Sequence, residues 1–468
     1  MGGRIVRAVL VVGVCVLLAG AWLRFRLEPP AFEVPARGAV LSDVTVVEPG
    51  RKRLEHRTVR VEGGRIAAID PAASGSGGLW SGRWVLPGLT DMHVHHPPDT
   101  LLGDVELFGM LFLAHGVTSV RDTGNFDGAI LDARRRIRHG EAVGPRTFAC
   151  GPILDGDPPY WPGSKVVTNA AEARAAVREL VEARVDCIKV YDRLSADALA
   201  GVHEAAASAD LPVVGHVPTA VGFREARLDD VQHLTGILER DEERLSEARL
   251  RSIITTSAVL DVAHTPTLVT WERTGRLSDY ERLRRDPAAR VLPRYFRDVL
   301  WAPRNDPRYR DMSSADWLAV ADAPENARRV ARRLHEQGIR LFPGTDTMAP
   351  FVLPGSSLHD EMREFEGIGM TPEEVWEAAT WRAGEALGEP HLGRILVGAP
   401  ADLLVFRDDP TRDLAALDTL EAVVADGRLY TVSDVEEALA LRRVHFEGGL
   451  VEWVSMQAAR LAGRAGGT

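Results

Sequence analysis

From Leu86 to about Leu387 the chain repeats one pattern, a short apolar run, a loop and then an amphipathic stretch. The apolar runs end near His95, Arg121, Gly151, Lys189, His216, His233, Thr267 and Asp346, which makes eight. Helical periodicity lies between most of them, over 101–114, 127–139, 170–183, 196–208, 239–257 and 323–336, and again after the last over 372–387. Thr371-Pro372-Glu373-Glu374 marks that last helix start, with a threonine cap and a proline at the first helical position. Short continuous apolar runs suit strands buried on both faces, and strands that alternate with helices pair in parallel. Eight such units over about 300 residues predict an α/β protein with a (β/α)8 TIM barrel over 86–390.

The flanks read differently. Residues 36–85 hold short β-rich pieces with a Gly63-Gly64 hairpin signal, and β pattern returns over 391–431. Neither piece is large enough to stand alone, so together they predict one small β-sandwich module built from segments before and after the barrel. Residues 432–468 read as a helical tail. The stretch from Thr270 to about Val320 is too long for an ordinary connection. It reads either as a lid over the barrel mouth or as a peripheral insertion.

The first 28 residues predict a signal peptide or an N-terminal membrane anchor. Arg4 and Arg7 precede an uncharged apolar run over 8–23, and Ala19-Gly20-Ala21 offers small residues for cleavage. Trp22-Leu23 continue the run, which keeps an uncleaved anchor open. The expected location is periplasmic or extracellular. A net charge of -11 leaves no basic excess for phosphate contacts, so nucleic acid is excluded as a partner. A small-molecule substrate is expected, and oligomers are compatible with the sequence. Cys150 and Cys187 lack CxxC spacing, which argues against a zinc knuckle or a disulfide framework, while a single bridge between neighbouring strands stays open.

Polar residues at the carboxyl ends of barrel strands carry chemistry more often than those elsewhere. His93 and His95 stand at i, i+2 on the first strand and share a face. Lys189, His216, His233 and Asp346 end strands four, five, six and eight. One strand histidine alone is ordinarily a packed core residue, but six such groups at five strand ends are not ordinary. Neutral imidazoles and a carboxylate are good ligands for zinc and similar divalent ions. A lysine ammonium has no lone pair. Buried beside cations it loses its proton readily, and the free amine can add carbon dioxide to become a carbamate that bridges two metals. Two adjacent cations lower the pKa of a bridging water, and Asp346 can relay its proton.

With these residues in view the chain resembles the amidohydrolase superfamily over about 39–430, most of all the branch of imidazolonepropionases and barrel-type Xaa-Pro dipeptidases. The resemblance rests on Leu86-Pro87-Gly88-Leu89-Thr90-Asp91-Met92-His93-Val94-His95, Gly116-Val117-Thr118-Ser119-Val120-Arg121-Asp122, Ile188-Lys189-Val190-Tyr191, Gly344-Thr345-Asp346 and Ala401-Asp402-Leu403. It implies His93 and His95 on a first metal, carboxylated Lys189 as the bridge, His216 and His233 on a second metal, and Asp346 as ligand and proton shuttle. Two divalent ions follow, with zinc the leading candidate. The loop after strand three and the His216-Val217-Pro218 turn depart from the branch, and these departures fall on substrate-facing positions.

For substrate contacts the sequence offers Tyr191 toward a carbonyl, Arg121 toward a carboxylate or paired with Asp122, Tyr160 and Trp161 as an apolar wall, and His264 and Thr267 lining the pocket. His359 lies either near the mouth or at a helix cap, and Asp91 reads as support for the ligands. The expected activity is metal-dependent hydrolysis of a carbon–nitrogen bond in an amide, dipeptide or cyclic amide, with Lys189 and Asp346 at the centre of catalysis. Lactone, ester or phosphotriester hydrolysis on the same binuclear site is the alternative. A membrane-tethered metal-binding scaffold is the non-enzyme reading, which the complete ligand set disfavours.

Overall fold

The structure, a computed structural model, describes residues 22–465 apart from 74–76, 99–101, 103, 125–127, 162 and 239–244. Ahead of the parallel strands come β1 (Ala39–Glu48), β2 (Lys52–Glu62), β3 (Arg65–Pro71) and β4 (Trp84–Pro87). The parallel strands are β5 (Leu89–Val94), β6 (Val117–Asp122), β7 (Arg146–Ala149), β8 (Leu154–Asp155), β9 (Lys165–Val166), β10 (Ile188–Val190), β11 (Val213–Gly215), β12 (Asp230–Gln232) and β13 (Ala263–Thr265). β14 (Leu403–Phe406), β15 (Leu420–Ala425) and β16 (Arg428–Thr431) close the β part of the chain.

The architecture is α/β with parallel sheets. β5, β6 and β7 form one parallel sheet, and β13-β12-β11-β10-β8-β9 form another. Residues on β5, β6 and β10 to β13 are buried throughout, as expected for strands covered on both faces. Backbone contacts join the two sheets: Asp186 N donates to the Ala149 carbonyl at 2.8 Å, Leu341 bridges His264 in parallel, and Thr347 bridges Val94 in parallel. The eighth run, expected as a strand ending at Asp346, therefore pairs through isolated bridges. Pro343 lacks an N–H, and a Cβ on Gly344 would come within 2.4 Å of Thr265 and 2.9 Å of His93, so this segment passes close to its neighbours without a regular ladder.

Helices occupy the spans that the periodicity marked, at Asp104–Ala114, Ala129–His139, Ala170–Glu182, Ala196–Ser208, Glu247–Leu260 and Ser314–Glu336, the last starting well ahead of the expected 323. Asn169, Ser195, Ser246, Ser313 and Thr371 each accept a backbone N–H three residues on, which explains why these helices start where they do. The fifth helix begins later than expected, and part of the expected start (239–244) lies outside the described residues. The insertion after β13 is folded rather than loose. It carries helix Leu268–Gly275, helix Tyr280–Arg285 and a π turn at Phe296–Leu300, with Leu277, Leu283, Phe296 and Trp301 buried in the main core.

The flanking strands join into a single seven-stranded sheet, β16-β15-β14-β4-β1-β2-β3. The expected pairing of segments before and after the parallel strands is present: β4 runs antiparallel to β14, with Pro87 opposite Leu403 and Trp84 opposite Phe406. Val46, Val59, Ile66, Val85, Leu403 and Val424 are among the residues of its own apolar core. Gly88 carries the chain from this sheet into β5. A Cβ there would sit 1.9 Å from the Thr118 hydroxyl, so only glycine passes.

Cys150 and Cys187, at the end of β7 and just before β10, form a buried disulfide, the bridge between neighbouring strands that the sequence left open. The expected export segment lies outside the described residues except for 22–28. No helix among the described residues is long and apolar enough to cross a membrane.

Candidate metal centre

The carboxyl ends of β5, β10, β11 and β12 converge with the 341–347 segment. His93 is fully buried on β5, and His95 follows just past the strand. Their Nε2 atoms are 3.3 Å apart, and Asp346 Oδ1 lies 3.5 Å from the first and 3.3 Å from the second. The His233 ring centroid is 4.1 Å from that of His93 and 5.2 Å from that of His216. Ligand atoms of His93, His233 and Asp346 all lie within 4.8 Å of one another. Five of the six predicted ligands thus share ring or atom contacts, and Lys189 lies beside them with its Nζ 5.5 Å from the centroid of the Tyr191 ring, which itself stacks on His216.

Backbone geometry places two of these groups. His233 and Asp346 have φ of 57° and 59°, a left-handed conformation that non-glycine residues rarely adopt. The turn at His233 breaks strand alternation, so Gln232 and His233 both reach the centre. Gly215 precedes His216 with φ 145°, and a Cβ there would meet the Val190 carbonyl at 2.1 Å, so His216 depends on a glycine before it.

Partners outside the cluster orient the imidazoles. His95 Nδ1 is 2.9 Å from the Gly124 carbonyl, His216 Nδ1 is 3.0 Å from Asp192 Oδ2, and His233 Nδ1 is 2.8 Å from Thr267 Oγ1. A carbonyl or carboxylate at Nδ1 keeps the proton there and turns the Nε2 lone pair inward, the arrangement that metal-ligating histidines use. His216 Nε2, the nitrogen opposite the Asp192 contact, is buried with no hydrogen-bond partner. Buried imidazole nitrogens left without partners are costly, and a cation would supply what the protein does not. On these observations the donor set fits divalent metal.

Electrostatics agree. Burial, followed by the neighbouring Lys189 and His95 charges, holds His93 well below its usual pKa. Burial and the His93 charge do the same to His233, and burial lowers His216 despite Asp192. Burial would also lower His95, but the hydrogen bond and charge of Asp346 outweigh it and leave it raised. Burial alone would raise Asp346, yet His233, His95 and Lys189 pull it to about 2. Burial brings Lys189 from 10.5 down to about 7, so a large share of its amine is neutral near pH 7. Its Nζ donates to Gln232 Oε1. Asp91, read as support, accepts from Thr345 N at 3.0 Å, from Thr345 Oγ1 at 2.7 Å and from His93 N at 3.2 Å, which ties the first ligand strand to the Asp346 segment.

A cavity of about 430 Å³ opens onto His216, His233 and Asp346. Tyr160, Tyr191, Thr267 and Trp271 line it, and the insertion contributes Arg308 and Met312. Trp161 stands behind this wall, with the Arg308 guanidinium 5.6 Å from its ring centroid.

Two expected substrate contacts are corrected. Arg121 is buried; its Nε donates to the Met92 carbonyl at 2.8 Å, and its Nη2 pairs with Asp230 and reaches Thr265 Oγ1 at 3.3 Å. It neither lines the cavity nor pairs with Asp122, which instead binds His96. His264 points outward to helix Glu247–Leu260, where its Nε2 is 2.8 Å from Ser257 Oγ, because its neighbours Ala263 and Thr265 take the other face of β13. His359 Nε2 donates to the His115 carbonyl at 2.8 Å and does not line the cavity.

Sequence reading passed over Asp192, Gln232 and Arg308. Asp192 and Gln232 each adjoin a singled-out residue in sequence, a signal that was available. Arg308 sits in irregular chain where no periodicity marks a facing direction.

The sequence pattern of the amidohydrolase family matches residues 84–432. An uncharacterized protein of Mycobacterium tuberculosis is 26% identical over 421 residues, covering 86% of this chain and 96% of its own length. Among solved structures, a bottromycin amidohydrolase superposes with a TM-score of 0.70 at 25% identity, over 91% of this chain and 93% of the other. A Xaa-Pro dipeptidase with methionine bound in its active site has a TM-score of 0.63 at 18% identity, over 84% of this chain and all of the other (100%), a likeness of fold.

Proposed function

The chain belongs to the amidohydrolase family, and on that premise we propose that it is a metal-dependent hydrolase that cleaves a carbon–nitrogen bond in a dipeptide-like or cyclic amide. The observation that carries this reading is the meeting of His93, His233 and Asp346 within 4.8 Å, beside a buried lysine whose amine is brought to about 7. We read His93, His95 and Asp346 as holding one divalent ion and His216 and His233 as holding a second, with Lys189 carboxylated between them. Nitrogen and oxygen donors of this kind favour zinc. Ions held there would acidify a water and polarise a carbonyl oxygen.

The chain's own residues do the rest. Asp346, ionised at any physiological pH, takes a proton from the attacking water and delivers it to the leaving nitrogen. Tyr191, whose phenol burial and the nearby Asp192 keep protonated, donates toward the carbonyl oxygen. Tyr160, Trp271 and Met312 exclude water from the bond under attack. The insertion, through Arg308 and Met312, acts as the lid.

The parallel strands are read as one (β/α)8 barrel over 86–390, supported by the bridges at Leu341 and Thr347 and by the Asp186–Ala149 hydrogen bond. The single sheet formed from 36–85 and 391–431 is read as folding over its own apolar core to make the β-sandwich module, and 432–468 as the helical tail. The protein is exported; the buried disulfide, a bond that persists in oxidising compartments, supports this.

Metal analysis combined with a screen of dipeptides and N-acyl amino acids, with lactones as controls, tests the reading. Stoichiometric divalent metal and amide turnover that Lys189→Ala abolishes are expected. Protein free of metal, or amide turnover indifferent to Lys189→Ala, would overturn it. Lactone turnover without amide turnover would reassign the bond.

A further inference from the structure

The two ends of the described chain meet on one face. Residues 22–27 form a short helix, and His445 Nε2 donates to the Leu27 carbonyl at 3.1 Å from helix Val432–Phe446. An open groove of about 690 Å³ runs between residues 25–31 and 444–451, lined by Phe25, Pro29, Pro30, Val444, Leu450 and Val451. Its rim is unusually apolar. Trp22 is 58% exposed, Phe25 79%, Leu441 56% and Val444 66%. Each pair is spaced i, i+3, so each shares one side of its helix. The following helix, Gly449–Ala465, buries Val451, Ser455 and Ala459 and turns Trp453 and Leu461 outward, two turns apart. A protein surrounded by water rarely leaves so many large apolar side chains exposed in one region.

What covers this face is legible in the adjoining chain. The uncharged apolar run 8–23 leads straight into it, with no polar residue between that run and the helix that bears Trp22 and Phe25. Arg24, Arg26 and Arg443 are exposed beside the apolar positions, with Glu28 and Glu447 as the nearby acids in sequence. Exposed tryptophan and phenylalanine next to arginine suit the boundary between headgroups and acyl chains.

We propose that this face, made of residues 22–31 and 441–451, rests on a lipid bilayer and inserts Trp22, Phe25, Leu441 and Val444 into its interfacial layer. The tail helix is then a second membrane contact, far in sequence from the N-terminal run. The proposal does not depend on the catalytic reading.

The test uses the full chain with Cys15→Ser, which leaves the disulfide and no free thiol, and adds one reporter cysteine, Val444→Cys or, as a remote control, Val259→Cys, itself 64% exposed. Each carries a thiol-linked fluorophore, and the protein is bound to vesicles of phosphatidylethanolamine and phosphatidylglycerol. Lipid-borne nitroxide should quench the label at 444 on the order of fivefold more than the label at 259, with iodide quenching reversed. Adding Leu441→Glu and Phe25→Glu should bring the two labels together while the protein still sediments with vesicles. Equal quenching at 444 and 259 in the parent chain would overturn the proposal, leaving at most a tether. Iodide protection at 444 without quenching from the lipid would also overturn it, in favour of a second copy or the chain's own N-terminal run as the cover.

Discussion

Two buried polar clusters lie among the same parallel strands and are built on opposite principles. In one, Arg121 spends its donors on the Met92 carbonyl, Asp230 and Thr265, and a cation faces an anion. In the other, His93, His95 and Asp346 bring ligand atoms within 3.5 Å of one another with few protons to share, and His216 Nε2 nearby has no partner. The first cluster balances its own charge, although Asp230 Oδ1 is left without a hydrogen-bond partner. The second turns several lone pairs toward one point, as a cation-binding site would. Burial alone does not separate structure from chemistry; the direction in which lone pairs point does.

Substitutions at the two clusters should therefore fail in different ways. Asp346→Asn should lower kcat by about 10³-fold or more, since general acid–base transfer contributes 10²–10⁴-fold and a ligand charge goes with it. Steady-state kinetics on protein shown to be folded would check this, and near-normal turnover would remove Asp346 from the mechanism. Arg121→Met should instead cost about 3–5 kcal/mol of stability by leaving Asp230 buried and uncompensated, with metal bound per folded molecule unchanged. Denaturant unfolding followed by metal analysis separates the two, and metal loss without unfolding would merge the clusters into one.

Thr267→Ala touches the open cluster from outside. It removes the hydroxyl on His233 Nδ1 and should weaken metal affinity about 10–100-fold. Competition with a chelator of known affinity gives the number, and no change would mean that His233 is held by packing alone.

The smallest effect is expected from acid. Burial lowers His264 from 6.5 to about 4. Between those values the unfolded chain binds a proton that the folded chain refuses, so stability falls as pH drops from about 6.5 toward 4. The loss should reach on the order of 1–2 kcal/mol by pH 5. Urea unfolding at pH 6.5 and 5 of the parent and of His264→Asn would show it as a difference in slope with pH, and identical slopes would place the acid sensitivity elsewhere.

The candidate ligands were legible because each is a chemically unusual residue at the end of an apolar run. The lysine in Ile188-Lys189-Val190 and the paired His93 and His95 need no partner to be noticed. Helix starts were legible through their caps. Which face a residue takes was harder to read. β13 is three residues long, and a shift of one residue exchanges inside for outside, which is how His264 came to be expected in the pocket. Arg121 was misread because its partner Asp230 is 109 residues away, and no local pattern announces a pair at that distance. Arg308 owes its place to an irregular insertion whose path is set by Phe296, Trp301 and Phe351 packing together, a tertiary fact. The seven-stranded sheet was foreseen as a union of both flanks, but not as one continuous ladder.

That sheet has a consequence for the order of events in the cell. β4 cannot find its antiparallel neighbour β14 until more than three hundred further residues have been made. Contacts that join segments so distant form slowly and late. This chain withholds a central partner from its first strands until almost all of it has been made. The fold's seam thus works as a timer: the sheet is completed only once nearly all of the chain has been made.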